Sequence, residues 1–577
     1  MKIKQHAGTG MSVSSCRLAA LLAIGIGLST QGHAQQETVE WVTLGGDHAH
    51  TRYTPATQIN ADNFTQLKTA WVWDGASFNA SSGRSTPSYV NGKLYTVAGD
   101  RRHVIAIDPE TGETIWSYRE PHTFRYEYSM RKDYGKGVAY GEVDGKGVIY
   151  IISPAFFLTA LDADTGAPLE GFGGPVGLDG FPETGVVDMQ RIIAEYMGYD
   201  FDPYYGIPLE GGYITASSPP IFVNGTVVVG NSAEQGYNQT RIENIPGDIL
   251  AFDGKTGEFK WKFNVIPEAG EFGIETWEGI PNPRELTGEV SPWAPLSADL
   301  ENNIVYAVTN PPTIDYYGGH APGDNLFGTS IIAMNASTGE RIWHYQLVRH
   351  DVWNYDTPTA PVLLDVTING RKVPAVAQAT KQAFVYAFNR LTGEPLWPFE
   401  DRPVPPSRIP GEKLAATQPF PTKPAPFDMQ GLTHDNLIDF TPELRAQAIE
   451  AIADYEIGPL FNPPLHRDND IGKVAALWCP GDGGGANIPG PAVADPVKGI
   501  LYVTSRSACS SRMVTPSQER DSMIEMPTGT TFSAFASLRA MPVRGPQGLP
   551  LFKPPYSRIT AIDMNTGEHL WMIPVGD

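Results

Sequence analysis

One short pattern recurs six times along the chain and restricts the possible fold more than any other feature. Each copy has an apolar run, Asp or Asn, two residues, Thr-Gly and then an aromatic side chain. The alternating apolar residues predict a half-buried strand, and the following residues predict a tight turn with glycine at positive φ and an Asp or Asn cap. Each copy is therefore predicted to be a β-hairpin that places an aromatic ring between neighbouring sheets. The copies are VIAIDPETGETIW (104–116), LTALDADTGAPLEGF (158–172), ILAFDGKTGEFKW (249–261), IIAMNASTGERIW (331–343), VYAFNRLTGEPLW (385–397) and ITAIDMNTGEHLW (559–571).

The intervals between successive Thr-Gly pairs are 54, 91, 82, 54 and 174 residues. A hairpin that cannot bury both of its faces alone must stack on others like it, along a line or around an axis. Such irregular intervals argue against a solenoid of uniform coils, whereas a propeller accepts insertions in the loops of its four-stranded blades. The predicted fold class is all-β, a β-propeller that forms one domain over residues 35–577.

Composition agrees with many short strands, because 60 glycines and 50 prolines accompany few helical runs. The longest interval between repeats contains an exception. A proline-rich stretch (403–427) precedes TPELRAQAIEAIADY (441–455), where Thr441 as N-cap and Pro442 at the first helical position predict a helix. We expect an insertion at about 400–470 that leaves a blade. It forms either a lid or wall near a site, or packing alone.

Residues 1–34 have the pattern of a secretory signal. Basic residues precede an apolar stretch (18–28), and small residues at 32–34 form a cleavage site. The apolar stretch is short for a membrane span, which favours cleavage over an uncleaved anchor. We expect a periplasmic protein with no membrane span after cleavage.

Removing residues 1–34 takes away three positive charges, so the formal net charge of −22 becomes −25. This acidity argues against nucleic acid as a partner and would suit a basic protein. Only Cys479 and Cys509 follow the signal. In an oxidising compartment two cysteines favour one disulfide over two buried thiols. The sequence has no Cys-x-x-Cys-His motif for covalent haem attachment.

Three segments carry a resemblance to a known family. They are WVTLGGDHAHTRYTPATQIN (41–60), TWEG (276–279) and PTIDYYGGHAPGDNLFGTSIIAMNASTGERIWHYQLVRHDVWNYDTPTAP (312–361). They resemble the quinoprotein dehydrogenases, which use pyrroloquinoline quinone (PQQ) and include methanol, ethanol, membrane glucose and quinate dehydrogenases. The resemblance extends over nearly the whole chain after the signal. It implies an eight-bladed propeller closed by a strand from the chain's start, and PQQ-dependent oxidation of an alcohol or sugar hydroxyl.

Relatives in this family continue for at least one more blade beyond the position of Asp577. The sequence is therefore expected to be either incomplete at its C-terminal end or a shorter propeller. Relatives also pass electrons to an acceptor such as a cytochrome c or a quinone, which the resemblance implies for this chain.

The resemblance implies a PQQ pocket on named residues. Trp293, in VSPWAP, would stack on the flat cofactor, and Lys381 would reach its quinone oxygens. Lys136 takes the place of an arginine that binds a cofactor carboxylate, and this is a departure because lysine lacks the bidentate fork. The further pocket candidates by position are Arg84, Arg131, Asn487, Ser232 and Ala233.

The resemblance also implies a metal ion beside the cofactor. VVVGNSAEQG (227–236) matches the segment that supplies a carboxylate ligand, which is Glu234 here. Asn310, in AVTNPP, offers an amide oxygen as a second hard ligand. The implied metal is calcium, with a lanthanide as the alternative.

The proton acceptor is where this chain departs from the family. Relatives carry it in a His-x-x-Trp-Asp-Tyr-like segment, which reads His350-Asp351-Val352-Trp353-Asn354-Tyr355-Asp356 here. Asn354 occupies the usual position of the base and cannot accept a proton at ordinary pH. If the segment is a strand, Asp356 shares a face with Asn354 and Asp351 does not. Asp356 is the favoured replacement base, Asp351 stays in the candidate set, and lanthanide-using relatives also place an extra acidic ligand at the position of Asp356.

Two other functions fit a Trp-containing propeller. A non-catalytic or degenerate member would act as a binding or assembly scaffold, and the substitution at Asn354 is the best argument for it. A hydrolytic propeller enzyme is disfavoured because the sequence lacks a Gly-x-Ser-x-Gly motif.

Overall fold

Strands dominate the computed structural model, which describes residues 39–79, 84–129, 132, 135–208, 211–233, 240–487, 492–519, 531–539 and 543–576. The predicted signal, Arg131, Glu234 and the side chain of Ala233 lie outside the part of the chain that the structure describes. In these ranges no helix combines the length and the apolar character that crossing a bilayer requires.

Four sheets in the first part of the chain repeat one antiparallel order of four strands, which we call blades 1 to 4. Blade 1 contains β1 (Ser88–Val90), β2 (Lys93–Ala98), β3 (His103–Ile107) and β4 (Thr114–Tyr118). Blade 2 contains β5 (Ala139–Val143), β6 (Lys146–Ile152), β7 (Phe157–Asp162) and β8 (Val186–Asp188). Two short strands, β9 (Ile214–Thr215) and β12 (Ser232–Ala233), pair beside blade 3, which contains β10 (Ile221–Val223), β11 (Thr226–Val229), β13 (Ile249–Asp253) and β14 (Phe259–Phe263). Blade 4 contains β15 (Ser297–Asp299), β16 (Ile304–Val308), β17 (Ser330–Asn335) and β18 (Arg341–Gln346).

The later sheets are less regular. Blade 5 has three strands, β19 (Val362–Ile368), β20 (Arg371–Ala379) and β21 (Val385–Asn389). A hairpin of β22 (Phe399–Pro403) and β23 (Thr417–Pro421) follows. A five-stranded sheet then joins β24 (Tyr455–Ile457), β25 (Leu465–His466), β26 (Ala475–Trp478), β29 (Ser510–Pro516) and β30 (Phe535–Arg539), with two parallel pairings. Blade 6 contains β27 (Ala492–Asp495), β28 (Ile500–Arg506), β31 (Ser557–Asp563) and β32 (Glu568–Pro574).

Helices are short and lie between the strands. They are α1 (Phe124–Tyr128), α2 (Met189–Met197), α3 (Pro283–Leu286) and α4 (Pro442–Ala451). The predicted helix in the insertion is confirmed as α4, where the Thr441 side chain accepts a hydrogen bond of 3.2 Å from the backbone N–H of Leu444. One-turn 3₁₀ helices cover Phe64–Gln66, Ala76–Phe78, Ile274–Thr276, His434–Asn436, Ser517–Glu519 and Pro546–Gly548.

The Thr-Gly turns have the predicted structure. In blade 1, Asp108 Oδ1 accepts the backbone N–H groups of Glu110 and Thr111 at 2.8 and 3.0 Å. Gly112 has φ +74°, a conformation that disfavours other residues. The carboxylate and the glycine together reverse the chain between β3 and β4.

The aromatic ring after each turn joins one blade to the next. Trp116 packs so tightly against Gly166 of blade 2 that a Cβ there would lie 2.5 Å from the ring. Its indole N–H donates to the Ala163 carbonyl at 3.1 Å. The same joint recurs between blades 3 and 4 and between blades 4 and 5, at the pairs Trp261–Gly339 and Trp343–Gly393. This repeated packing, with first strands side by side in the order β5, β10, β15, β19, β27, forms a propeller.

Residues 48–51, from the opening segment that resembles the family, cross the first strands of three blades. The carbonyl of His48 accepts from Ala298 in β15, that of Ala49 from Leu363 in β19, and that of Thr51 from Ala494 in β27. All three bonds are 2.7–2.9 Å long. The beginning of the described chain therefore fixes the spacing of blades 4, 5 and 6.

Candidate active site

Most of the predicted site residues lie in loops at one end of the blades. Trp293 precedes the first strand of blade 4, Asn310 follows its second strand, and Lys381 follows the second strand of blade 5. The segment 350–356 connects blades 4 and 5. First strands begin, and second and fourth strands end, at the same edge of an antiparallel blade, so these loops share one end of the propeller.

Trp293 is half-buried, and its backbone and ring are both held. Its carbonyl accepts hydrogen bonds from Ser218 Oγ at 2.7 Å, Ser217 Oγ at 3.2 Å and Lys136 Nζ at 3.3 Å. Lys136 Nζ also lies 4.9 Å from the centroid of the indole ring. Ser232, a pocket candidate, lies behind this contact, because its hydroxyl is 3.1 Å from that of Ser217. Lys136 therefore places a buried cation against the tryptophan face.

On its other side Trp293 is linked to the departure from the family. Its indole N–H donates to Asp356 Oδ2 at 2.9 Å. The second oxygen of Asp356 accepts from Lys381 Nζ, and these two side chains are only 7% and 5% exposed. Lys381 Nζ also donates to the backbone carbonyl and to Oδ1 of Asn354, both at 2.9 Å. The ammonium group thus uses all three of its donors on Asn354 and Asp356.

The premise for placing Asn354 and Asp356 together was wrong, although the two do meet. We expected a strand, but no strand covers 350–356, and Asn354 has φ +57°. The left-handed turn and the ammonium of Lys381, rather than strand alternation, hold the two side chains in one place.

Asp351 serves the loop itself. Its carboxylate accepts backbone N–H bonds from Trp353 and Tyr355 at 2.9 Å and a hydroxyl bond from Thr329 at 2.9 Å. Burial raises the pKa of Asp351 to about 6, although the two backbone N–H groups oppose this shift. These bonds shape the turn that presents Asn354.

Asp315, in the loop after β16, was not among the residues selected from the sequence. It is buried, and its carboxylate lies near the side chain of Asn354. Burial raises the pKa of Asp315 to about 7; the neighbouring Asn354 amide and the charge of Lys381 lower it, and Asp356 raises it. In the sequence, Asp315 is an acidic residue without an assigned role in an aromatic, glycine-rich segment, and no other signal distinguishes it.

Asn310 lies next to Trp293 through residues 289–291. Its Oδ1 accepts the backbone N–H of Ser291, and its Nδ2 donates to Glu289 Oε1 at 2.6 Å. Asn231 and Ser291 both border Gly247, and Asn231 Oδ1 is buried without a hydrogen-bond partner in the described part of the chain. Neutral amide oxygens of this kind suit a hard cation. No group of three His, Cys, Asp or Glu suited to a metal occurs in the described residues.

A second polar network borders the site through Tyr316, the neighbour of Asp315. Its hydroxyl donates to Asp482 Oδ2 at 2.7 Å, and Arg512 and Ser510 donate to the same carboxylate. Burial would raise the pKa of Asp482, but Arg512, Ser510 and Tyr316 keep it below its ordinary value. Asn487, a pocket candidate, belongs to this network through a 3.3 Å bond from Nδ2 to the Asp482 carbonyl.

Two predicted features remain, the disulfide and the pocket candidate Arg84. Cys479 and Cys509 form a disulfide with a Cα–Cα distance of 4.5 Å, next to the Asp482 and Ser510 segments. The carbonyl of Pro480 accepts the Tyr355 hydroxyl at 2.6 Å, so the bridge also supports the 350–356 loop. Arg84 is exposed and precedes β1 in the chain.

A buried ion pair ties the insertion to the same loop. His350 Nε2 lies 2.7 Å from Glu412 Oε1, and these side chains are 1% and 0% exposed. The other ring nitrogen lies 2.7 Å from the Gly323 carbonyl. Both partners are acceptors, so both nitrogens carry protons and the ring is an imidazolium. Burial would lower the pKa of His350, but Glu412 outweighs it and the pKa is raised.

Comparison with known proteins identifies the family. The model of the PQQ "glucose/ethanol/alcohol dehydrogenase, beta-propeller domain" matches residues 41–577. Over 572 residues the chain is 26% identical to the quinoprotein glucose dehydrogenase of Escherichia coli K12. This alignment covers 93% of this chain and 66% of that protein. It is 27% identical over 589 residues to the glycerol dehydrogenase large subunit of Gluconobacter thailandicus, covering 95% of this chain and 73% of that protein. The chain thus spans about two thirds to three quarters of the length of these relatives.

Solved structures agree on the fold. The quinohemoprotein alcohol dehydrogenase of Comamonas testosteroni superposes with a TM-score of 0.61 at 22% identity, over 93% of this chain and 67% of that one. A europium-containing methanol dehydrogenase gives 0.61 at 20% identity, over 94% and 80%. Because the family model matches residues 41–577, the chain belongs to the PQQ-dependent glucose, ethanol and alcohol dehydrogenase family of β-propellers.

Proposed function

We propose that this protein oxidises a hydroxyl-bearing carbon of an alcohol or a sugar to a carbonyl, with PQQ as the electron-accepting cofactor. The proposal rests on one observation, the continuous row of side-chain contacts Lys136–Trp293–Asp356–Lys381. It offers a flat aromatic face with one buried ammonium group near the ring and a second beyond its indole nitrogen. The family membership supplies the reaction class.

These residues fit the chemistry of PQQ, a flat tricarboxylate. An aromatic ring binds a conjugated face by stacking, and ammonium groups pair with carboxylates and with developing negative charge on a quinone oxygen. Trp293 would stack on the ring system, Lys136 would pair with a carboxylate, and Lys381 would approach the reactive oxygens. When bound, the cofactor supplies the acceptor for a hydride from the substrate carbon.

A metal ion completes the proposed site. Asn310 and the unpartnered oxygen of Asn231 are the described donors next to the tryptophan, and Glu234 is the proposed carboxylate ligand. Calcium and a lanthanide both prefer such oxygen ligands. Asp356 contributes its negative charge at the edge of the site, either as a ligand or as a proton acceptor.

The proposed partners follow from the same chemistry. A two-electron oxidation requires a re-oxidant, and we propose a cytochrome c or a quinone. The acidic chain, with 64 acidic and 42 basic residues, suits a basic cytochrome. Signal-dependent export would place the reaction in the periplasm.

One observation favours a second candidate. Asn354 stands where relatives carry an acid, so a degenerate member would bind PQQ without turning over substrate. Such a protein would act as a binding scaffold.

The test is reconstitution of the purified protein with PQQ and either calcium or a lanthanide, followed by dye-linked oxidation of an alcohol and sugar panel. We expect dye reduction that depends on PQQ and metal, and none with NAD in place of PQQ. Activity with NAD alone would reject the proposal. Retention of PQQ with no turnover on any substrate would favour the scaffold.

A further inference from the structure

Asp315 occupies a place in the site that the function proposed above does not yet use. Its carboxylate is buried near the side chain of Asn354, whose Oδ1 accepts from Lys381 at 2.9 Å. Lys381 in turn pairs with Asp356. Four side chains therefore form one line, Asp315, Asn354, Lys381 and Asp356, with a carboxylate at each end.

The two end carboxylates have different partners. Asp356 accepts hydrogen bonds from the ammonium group of Lys381 and from the indole N–H of Trp293. Asp315 has the neutral amide of Asn354, rather than a cation, as its neighbour in the site. A carboxylate without a paired cation binds a proton more readily.

The other charged groups around Asp315 do not change this contrast. Asp351 lies on the same loop as Asn354, and its negative charge disfavours ionisation of its neighbours. The adjacent Tyr316 directs its hydroxyl to Asp482, whose charge is matched by Arg512. Lys381 is the cation that acts on Asp315, and its three donors point to Asn354 and Asp356.

The pKa of Asp315 supports the same assignment. Burial raises it to about 7. A base works best when its pKa lies near the operating pH, because it is then both deprotonated and basic.

We propose that Asp315 accepts the proton of the substrate hydroxyl and so takes the role of the acid that relatives carry at the position of Asn354. This inference rests on the proposed function. In the step, the substrate O–H bond breaks and its proton goes to the Asp315 carboxylate. The carbonyl double bond forms as the adjacent C–H bond breaks with its electron pair, for which bound PQQ would be the hydride acceptor. Asn354 orients the hydroxyl between Lys381 and Asp315.

The first test compares Asp315→Asn with wild type after loading with PQQ and metal. We expect kcat to fall by roughly 10²–10⁴-fold, with unchanged cofactor retention measured by absorbance. In wild type, kcat/KM should rise with pH through an apparent pKa near 7, and this rise should be absent from the residual rate of the variant. Asp435→Asn, at an exposed carboxylate, is the matched control and should resemble wild type.

The second test is rescue. Asn354→Asp in the Asp315→Asn background returns a carboxylate to the family position, next to the vacated one. We expect it to recover at least about tenfold of the lost kcat, which loss of a merely structural contact would not allow. Wild-type kcat in Asp315→Asn, release of the cofactor by that variant, or no recovery in the double variant would each overturn the proposal.

The third test needs no cofactor. Burial raises the pKa of Glu120 to about 7 as well, so the infrared titration of the unloaded protein is read as a difference between wild type and variant. A carboxyl C=O contribution that titrates near pH 7 should be lost in Asp315→Asn and retained in Asp356→Asn. A band lost in Asp356→Asn instead would assign the proton to Asp356. Absence of turnover in loaded wild type would reject the proposed function and would be distinguishable from all these results.

Discussion

Lys381 joins the groups on which the chemistry of the site depends. Its ammonium group bonds to Asn354 and to Asp356, and Asp356 bonds to Trp293. The position of one buried cation therefore controls the amide, the carboxylate and the proposed cofactor-binding ring together. Loss of either partner of a buried ion pair leaves an uncompensated charge, so these residues are tightly coupled.

The role of Asp356 can be separated from that of Asp315 by its dependence on metal. If Asp356 is a metal ligand, Asp356→Asn should lower metal affinity by roughly 10–100-fold, and excess metal should restore part of the rate. If Asp356 takes the proton, metal and PQQ should stay bound while kcat falls and added metal has no effect. The measurement is kcat against metal concentration, with retained PQQ read by absorbance. With Asp315 as the acceptor, the account predicts the metal-dependent result; a metal-independent loss would return the base to Asp356.

The sequence identified Asn354 as the residue that departs from the family, but it did not identify Asp315, the acid proposed to replace the base. The family resemblance placed Trp293, Lys381, Asn354 and Asp356 in one site, and the structure brings them into contact. Asp315 was missed because no local pattern distinguishes a buried acid from a turn-forming one. Its proximity to Asn354 arises from the packing of two loops 39 residues apart in the chain.

At the scale of elements, the His350–Glu412 pair couples the insertion to the 350–356 loop. Glu412 lies in the loop of the β22–β23 hairpin, and His350 begins the segment that carries Asn354. Burial would raise the pKa of Glu412, but His350 and the backbone N–H groups of Gly318 and Lys413 lower it. The hairpin is therefore attached to the loop by a charge-assisted bond rather than by apolar packing alone.

This pair predicts a pH window for stability. The raised pKa of His350 adds stability that is full below 6.5 and is lost as pH rises through the folded value. The lowered pKa of Glu412 adds stability that is present above 4.5 and is lost as pH falls through the folded value. The difference in unfolding free energy between wild type and Glu412→Gln should therefore be largest between these values and should shrink in alkaline solution. Urea unfolding across pH measures it, with Glu400→Gln at an exposed hairpin carboxylate as control; a difference independent of pH would contradict the pair.

The elements also show which parts of the fold were predictable. The six Thr-Gly copies predicted hairpins because their signal is local. It consists of a capping side chain, a glycine at positive φ and alternating apolar residues. The helix α4 was predictable from Thr441 and Pro442 for the same reason. The five-stranded sheet of β24, β25, β26, β29 and β30 was not, because its parallel pairs join short segments distant in sequence.

At the scale of the whole molecule, the blades are joined by a repeated contact. An aromatic ring lies against the Thr-Gly turn of each blade that follows it, from Trp71 on Gly112, through Phe172 on Gly257, to Trp397 on Gly567. In blade 6 the corresponding Trp571 is 42% exposed and has no such turn among the described residues. The site loops emerge from blades 4 and 5, which have this joint on both sides, so the scaffold holds them rigidly.

The proposed function requires that this scaffold holds PQQ against Trp293 and that a hydroxyl substrate reduces the cofactor. The direct measurement is an anaerobic single turnover of protein loaded with PQQ and metal, following the cofactor absorbance and the carbonyl product together. We predict that an alcohol or sugar from the panel bleaches the oxidised cofactor spectrum with one carbonyl formed per bound PQQ. Trp293→Ala should lose the cofactor, whereas Trp571→Ala, remote from the site, should retain it. Protein that does not retain PQQ with either metal, or an oxidised spectrum unchanged by every substrate, would contradict the claim.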